Sequence, residues 1–399
     1  MPAVGNSLEK MTSTRPTWAE VSRSRLLHNY DVLRRLAGRD AELLCVVKAN
    51  AYGHGLEACA QALAANGAQW FGVTCVEEGV TLRRVLPDSR ILVMSGVWEG
   101  EAEAALVHDL TPVVWDPKHI DLLEEGARRL RAAPGDCPVH MEIDTGMSRQ
   151  GVALKDLDSL LRRFGPESAL RIEAAMTHFC SPGNAELTAS QLQEFVTATD
   201  TIAGCGLGPA MLSAGSSAGA LAPDARLADL AKSKGARLML RAGIALYGYA
   251  PDPQDAGESA SQLQPVLSWK TRVVSVREIP AGATVGYDAT FVAKRPTKLV
   301  LLPVGYADGL NRLLSSRGEV LVRGRRAPIA GRISMDHTSV DVTDVAGIVV
   351  GDEVALIGIQ NAEQGREQLT ANDLAKLTGT ISYEVLCDIA ARVPRVMVD

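Results

Sequence analysis

The chain has 399 residues, 46% of them hydrophobic and 22% charged, with a formal net charge of −6. That length fits two or three domains, and the balance is that of a globular protein with ample core. No block of Lys and Arg stands out, which argues against nucleic acid or an anionic membrane surface as a partner. No run of about 18 apolar residues is present to span a bilayer.

Seven cysteines occur without a CxxC pair, and Cys45, Cys180 and Cys387 lie within apolar runs. Reduced thiols are expected, with neither a disulfide frame nor a zinc site. Residues 1–14 read as an N-terminal extension. The opening MPAVGNSLEKMTSTRPTW lacks the apolar centre of a secretion signal, so a cytoplasmic protein is expected.

Residues 15–250 carry eight short apolar runs. They are AELLCVVKA (41–49), WFGVT (70–74), RILVMSG (90–96), TPVVWD (111–116), PVHMEID (138–144), LRIEAAMTHF (170–179), PAMLSAG (209–215) and LMLRAGIALYG (238–248). Segments with helical spacing lie between them, such as LEACAQALAANG (56–67) and HIDLLEEGARRLRAA (119–133). Eight runs alternating with helices predict a (β/α)8 TIM barrel. A doubly wound open sheet is the alternative, but no GxGxxG follows the first run.

PDPQDAGESASQ (251–262) is polar, rich in turn residues, and reads as a linker. From 263 to 399 the pattern becomes alternating, as in VLSWKTRVVSVREI (266–279) and GDEVALIG (351–358). That predicts a C-terminal, mainly β domain. One helix is expected within LTANDLAKLTG (369–379), capped by Thr370 or Asn372 and ended by Gly379.

In a barrel, chemistry gathers at the C-terminal strand ends. Lys48, Asp144, His178, Ser213 and Gly243 fall there. A lysine at the end of a buried strand, as in CVVKANAYGHG (45–55), is a candidate for a Schiff base with an aldehyde. Pyridoxal phosphate is the commonest such aldehyde in enzymes. The small-residue loops LSAGSSAG (212–219) and RAGIALYG (241–248) follow the seventh and eighth runs, where barrels bind phosphate. His28, His108, His119 and His140 have no metal-ligand spacing.

Taken in order, VVKANAYGHG (46–55), DTGMSRQG (144–151), RAGIALYG (241–248), VGYDATF (285–291), VGYADG (304–309), GRISMDHT (331–338) and SYEVLCDIAARVPR (382–395) resemble the blocks of the alanine racemases. These are fold-type III pyridoxal-phosphate enzymes, and the resemblance covers nearly the whole chain. It implies interconversion of L- and D-alanine by two bases, with the D-alanine supplied to peptidoglycan. Lys48 is then the cofactor lysine and one base. Tyr287, from the other subunit of a homodimer with shared sites, is the second. Arg241 bonds the pyridine nitrogen, and His178 lies between Arg241 and Tyr287. Tyr52, Ser217, Gly243, Ile244 and Tyr383 hold the phosphate. Arg149 and the Met335 backbone take the substrate carboxylate, and Tyr306 and Arg332 line the entrance.

The residue types suit that chemistry. An arginine cannot accept a proton, so the ring nitrogen stays unprotonated and the substrate carbanion is less stabilised. A tyrosine is a poor base at its ordinary pKa, and nearby cations favour the phenolate.

Three positions depart from the family pattern. Glu142 stands where many members carry a carbamylated lysine, and as a carboxylate it is expected to orient Arg149. Ser216 and Ser217 in SAGSSAG stand where the family often shows Asn-Ser. Ser334 is often cysteine in relatives. Asp288 is expected to face solvent, the alternative being contact with a larger or cationic substrate side chain. A racemase acting on serine, lysine or arginine, or a fold-type III decarboxylase, are the other activities this scaffold allows.

Overall fold

The computed structural model describes residues 15–251, 258–362 and 365–399. The expected N-terminal extension and residues 252–257 of the expected linker lie outside them. The chain divides into two units. One comprises Ser24–Ala51 with Gly55–Gln264, and the other the described residues up to Arg23, Tyr52–His54 and Pro265–Asp399.

The first unit is a closed barrel of eight parallel strands. In chain order they are Glu42–Val46, Trp70–Val73, Arg90–Val93, Thr111–Val114, Cys137–Asp144, Leu170–Met176, Met211–Ser213 and Arg237–Ala242. Each pairs in parallel with the next, and the last closes on the first through Arg241 opposite Leu44. All eight coincide with the expected apolar runs. Parallel strands are covered on both faces, so they read as continuous hydrophobic stretches. Low in the barrel, Glu173 accepts from Arg90 across 2.6 Å, and Arg90 lies 4.4 Å over the Trp70 ring. His140 is buried against Trp70 and 3.4 Å from Glu173.

Most strands end before their apolar runs do, and two of these endings matter for the site. The eighth strand ends at Ala242, and a tight turn, Ile244–Tyr247, follows Gly243. The sixth ends at Met176, leaving His178 beyond the strand. Both endings put polar chemistry at the strand tips instead of inside the sheet.

The second unit is built of antiparallel ribbons. Its largest sheet runs, in spatial order, Arg325–Pro328, Glu319–Val322, Glu353–Ala362, Leu267–Arg272, Thr17–Ser22 and Arg395–Val398. Thr17–Ser22 pairs antiparallel with Leu267–Arg272 and parallel with Arg395–Val398. This corrects the expectation that the barrel begins at residue 15, because the first strand belongs to the C-terminal sheet. A hairpin of Thr284–Val285 and Phe291–Val292 is anchored by Val285 and Phe291, which pack with Leu299 and Ala330. Thr370 caps the helix Ala371–Thr378 in a reciprocal box with Asp373, and Gly379 ends it at φ +73°.

Candidate active site

Lys48 follows the first barrel strand and is half-buried. The four residues after it, Ala49, Asn50, Ala51 and Tyr52, all have φ between +51° and +55°. They form one turn of left-handed helix, which costs L-residues roughly 1–2 kcal/mol each. Local bonds offset that cost. Glu78 accepts from the Ala49 N–H at 2.7 Å and the Thr74 N–H at 2.9 Å. The Asn50 side chain accepts from the Leu56 N–H at 2.8 Å. Strain held by several bonds is typical of sites that fix a reactive group.

Arg241, on the eighth strand, is 4% exposed. One terminal nitrogen donates to Ser213 O and Ser213 Oγ, both at 2.9 Å. The other donates to Thr177 O at 2.7 Å and to His178 Nδ1 at 3.1 Å. Four of its five donors are used, and Nε has no hydrogen-bond partner among the described residues. Burial lowers its pKa to about 10, with the Glu142 charge opposing the fall. Burial, together with Arg241, Arg149 and Lys48, brings the His178 pKa down to about 3. His178 is therefore neutral near pH 7. Because a guanidinium can only donate, His178 accepts at Nδ1 and carries its proton on Nε2.

Ser217 opens the short helix Ser217–Leu221 and is buried. Its Oγ accepts from the N–H groups of Gly243 at 2.9 Å and Ala245 at 3.2 Å. Its own hydroxyl proton is left to donate elsewhere. The intervening Ile244 N–H, at the start of its turn, has no partner among the described residues. Gly243 and Ala245 thus both donate to the same Ser217 hydroxyl. In the second unit, the Tyr52 and Tyr383 rings lie 6.0 Å apart. Burial raises both phenols, Tyr383 to about 12, so both stay protonated.

Glu142, on the fifth strand, is 2% exposed. Its Oε2 accepts from Gln150 Nε2 at 2.5 Å. The sequence reading aimed this carboxylate at Arg149; its hydrogen bond goes to Gln150, the next residue. Burial raises the Glu142 pKa, the Gln150 bond, Arg241 and Arg149 oppose the rise, and Asp144 adds to it. Glu142, Arg149, Gln150 and His178 line one small concavity. Arg149 is exposed and makes no hydrogen bond or ion pair among the described residues.

Tyr287, Tyr306, Arg332 and Met335 belong to the second unit. Tyr287 sits at the hairpin tip, 67% exposed, in a turn where Asp288 has φ +59°. Asp288 remains largely exposed, yet its Oδ2 lies 2.8 Å from Arg332 Nε. Tyr306 and Met335 are 41% and 54% exposed. Their loops are joined by bonds from the Tyr306 N–H to Ser334 O (3.1 Å) and from the Ala307 N–H to Met335 O (3.0 Å). The Met335 N–H has no partner among the described residues. Beneath them Asp308 is fully buried, paired with Arg15 and, at 2.8 Å, with Arg392. Asp308 also accepts from the Gly305 N–H at 2.9 Å.

Sequence reasoning did not single out Glu78, Gln150 or Asp308. Each acts through a side-chain bond whose partner is not readable from local pattern. Gln150 within DTGMSRQG and Asp308 within VGYADG lay inside recognised blocks, but Glu78 did not.

A strand-end lysine on a parallel barrel, above a buried guanidinium and a neutral imidazole, defines the class: a barrel enzyme built around an amine. The family model for the alanine racemase N-terminal domain matches residues 21–251, and that for the C-terminal domain matches residues 266–397. The alanine racemase of Symbiobacterium thermophilum is 41% identical over 385 residues, covering 96% of this chain and 97% of its own. That of Halothermothrix orenii is 38% identical over 384 residues, covering 96% and 97%. Among solved structures, the alanine racemase of Streptomyces coelicolor A3(2) superposes with a TM-score of 0.86 at 31% identity, covering 96% of this chain and 98% of its own. The alanine racemase of Bartonella henselae, with covalently bound pyridoxal phosphate, gives 0.80 at 28% identity over 96% and 99%. The chain belongs to the alanine racemase family, isomerases that act on amino acids.

Proposed function

We propose that this protein interconverts L- and D-alanine with pyridoxal 5'-phosphate, using Lys48 and Tyr287 as bases on opposite faces of the substrate. The observation that carries the reading is the pairing of buried Arg241 with half-buried His178, with Arg241 Nε–H as its one remaining donor. The residues fit the cofactor. Lys48 offers the amine, Arg241 Nε–H suits the ring nitrogen, and the Ser217 hydroxyl and Ile244 N–H suit a phosphate. Tyr52 and Tyr383, both protonated, add phosphate donors. Bound there, the cofactor supplies an electron sink that makes the substrate α-proton removable.

The chain's own groups do the rest. Lys48 Nζ removes or returns the proton on one face, and Tyr287 Oη does so on the other. Arg241 keeps its charge and accepts no proton, which keeps the ring nitrogen unprotonated. His178 Nε2–H stabilises the phenolate form of the tyrosine. Arg149 and the Met335 N–H hold the carboxylate. Because Tyr287 is exposed on its hairpin, the reading takes it from the partner subunit of a homodimer. Asp288 is already paired with Arg332, which disfavours its use for a cationic side chain and favours alanine over lysine or arginine.

No helix among the described residues is long and apolar enough to cross a membrane, and all seven cysteines are free. The free cysteines suit a reducing compartment, and the reading takes the protein as cytoplasmic, with its D-alanine supplied to peptidoglycan. The test has two parts. Borohydride reduction followed by peptide mapping should place a pyridoxyl group on Lys48. L-alanine should lose optical rotation without releasing carbon dioxide. An adduct on another lysine, or carbon dioxide release, would overturn the proposal.

A further inference from the structure

The loop carrying Arg149 leaves the fifth barrel strand at Asp144 and is held at three points. Asp144 Oδ1 accepts from the N–H groups of Gly146 at 3.0 Å and Ser148 at 2.9 Å. Gly151, at φ +108°, lies so close to Asp144 that a Cβ there would come within 2.5 Å of its nitrogen. The third hold is Gln150 Nε2, which donates to Glu142 Oε2 at 2.5 Å and to Met94 O at 3.1 Å. Met94 follows the third barrel strand, so one amide ties the loop to two strand ends.

Arg149 has no hydrogen bond of its own among the described residues to fix its direction. Its neighbour does. With the Gln150 side chain anchored on Glu142 and Met94, the preceding residue is left to project outward, and Arg149 is the exposed one of the two. Glu142 is nearly inaccessible to water, so without Gln150 its carboxylate would lack its hydrogen-bond donor.

We propose that Gln150 is a positioning residue for substrate binding, its amide holding the Arg149 loop to Glu142 and Met94. The inference rests on the reading of Arg149 as the carboxylate clamp. A group that only fixes a clamp changes ground-state and transition-state binding alike, so its loss appears mainly in KM.

Gln150→Met keeps the length and removes the donor. It should raise KM for both enantiomers by about 5- to 20-fold, with a smaller fall in kcat. It should weaken the calorimetric Kd for propionate, a carboxylate without an amine, by a similar factor. The cofactor spectrum should not change. Glu142→Gln keeps an acceptor for Gln150 and should raise KM less. If Gln150→Met does not fold, Glu142→Leu/Gln150→Met removes the stranded carboxylate, and the same two readouts apply. A folded variant with wild-type KM and propionate Kd overturns the proposal. Arg149→Ala with unchanged propionate binding would instead overturn the clamp reading beneath it.

Discussion

Arg241 donates to His178 Nδ1 across 3.1 Å, and that single bond fixes the tautomer of the imidazole. The His178 pKa is held at about 3, first by burial and then by Arg241, Arg149 and Lys48. In the unfolded chain the group titrates near its ordinary 6.5. Between those values the unfolded state binds a proton that the folded state does not. Stability therefore falls as pH drops from about 6.5 toward 3. His178→Asn should flatten this part of the curve, measured by urea unfolding at pH 7, 6, 5 and 4. An unchanged slope would show that His178 is not the group responsible.

The two bases can be tested by complementation. Tyr287→Phe should retain cofactor but lose most racemisation, and should lose α-proton exchange of one enantiomer far more than of the other. Near-normal exchange of both in deuterated water would count against two bases. Mixing inactive Lys48→Ala with inactive Tyr287→Ala under subunit exchange should restore activity. About half of randomly paired dimers are mixed, each with one intact site of two, so recovery should approach roughly a quarter of wild type. No recovery despite demonstrated exchange would refute a site shared between subunits.

The left-handed turn after Lys48 makes a prediction opposite in sign to the usual rule. Ala→Gly within a right-handed helix destabilises by about 0.5–1 kcal/mol. Ala49 is exposed at φ +52°, where glycine is free of the Cβ penalty. Ala49→Gly should leave stability unchanged or raise it by up to about 1 kcal/mol. Thermal unfolding checks it, and a clear loss of stability would mean the turn carries no strain.

Asp308 is a buried carboxylate paired with Arg15 and Arg392. Asp308→Ala removes the buried acceptor shared by Arg15 and Arg392, while Arg392 keeps Asp336 at 2.7 Å, and should cost about 1–3 kcal/mol. It also frees the Gly305 N–H, and with it the turn whose next two N–H groups hold the Ser334 and Met335 carbonyls. Urea unfolding should show the loss. A cost below about 1 kcal/mol would show that the pairs are solvent-screened.

The barrel was legible because its strands are covered on both faces and so appear as uninterrupted apolar runs, Glu42–Val46 and Trp70–Val73 among them. Lys48, His178 and Arg241 were legible because the (β/α)8 plan says where chemistry belongs, and ordered motifs agreed. What escaped was long-range or conformational. Thr17–Ser22 gives no sign that its neighbours lie some 250 and 375 residues away in the chain. Ala-Asn-Ala-Tyr contains no glycine to announce four positive φ angles. Glu142 could be placed beside a loop by its motif, but nothing local decides whether its partner is Arg149 or Gln150.

The N-terminal strand has a consequence for how the protein is made. Thr17–Ser22 takes one neighbour from Leu267–Arg272 and the other from Arg395–Val398. At roughly 5–20 residues per second, its first neighbour leaves the ribosome some ten to fifty seconds after the strand itself. All eight barrel strands are synthesised in that interval, the last ending at Ala242. The barrel can therefore close during translation while Thr17–Ser22 waits for its neighbours, and the sheet is complete only after Arg395–Val398 has emerged.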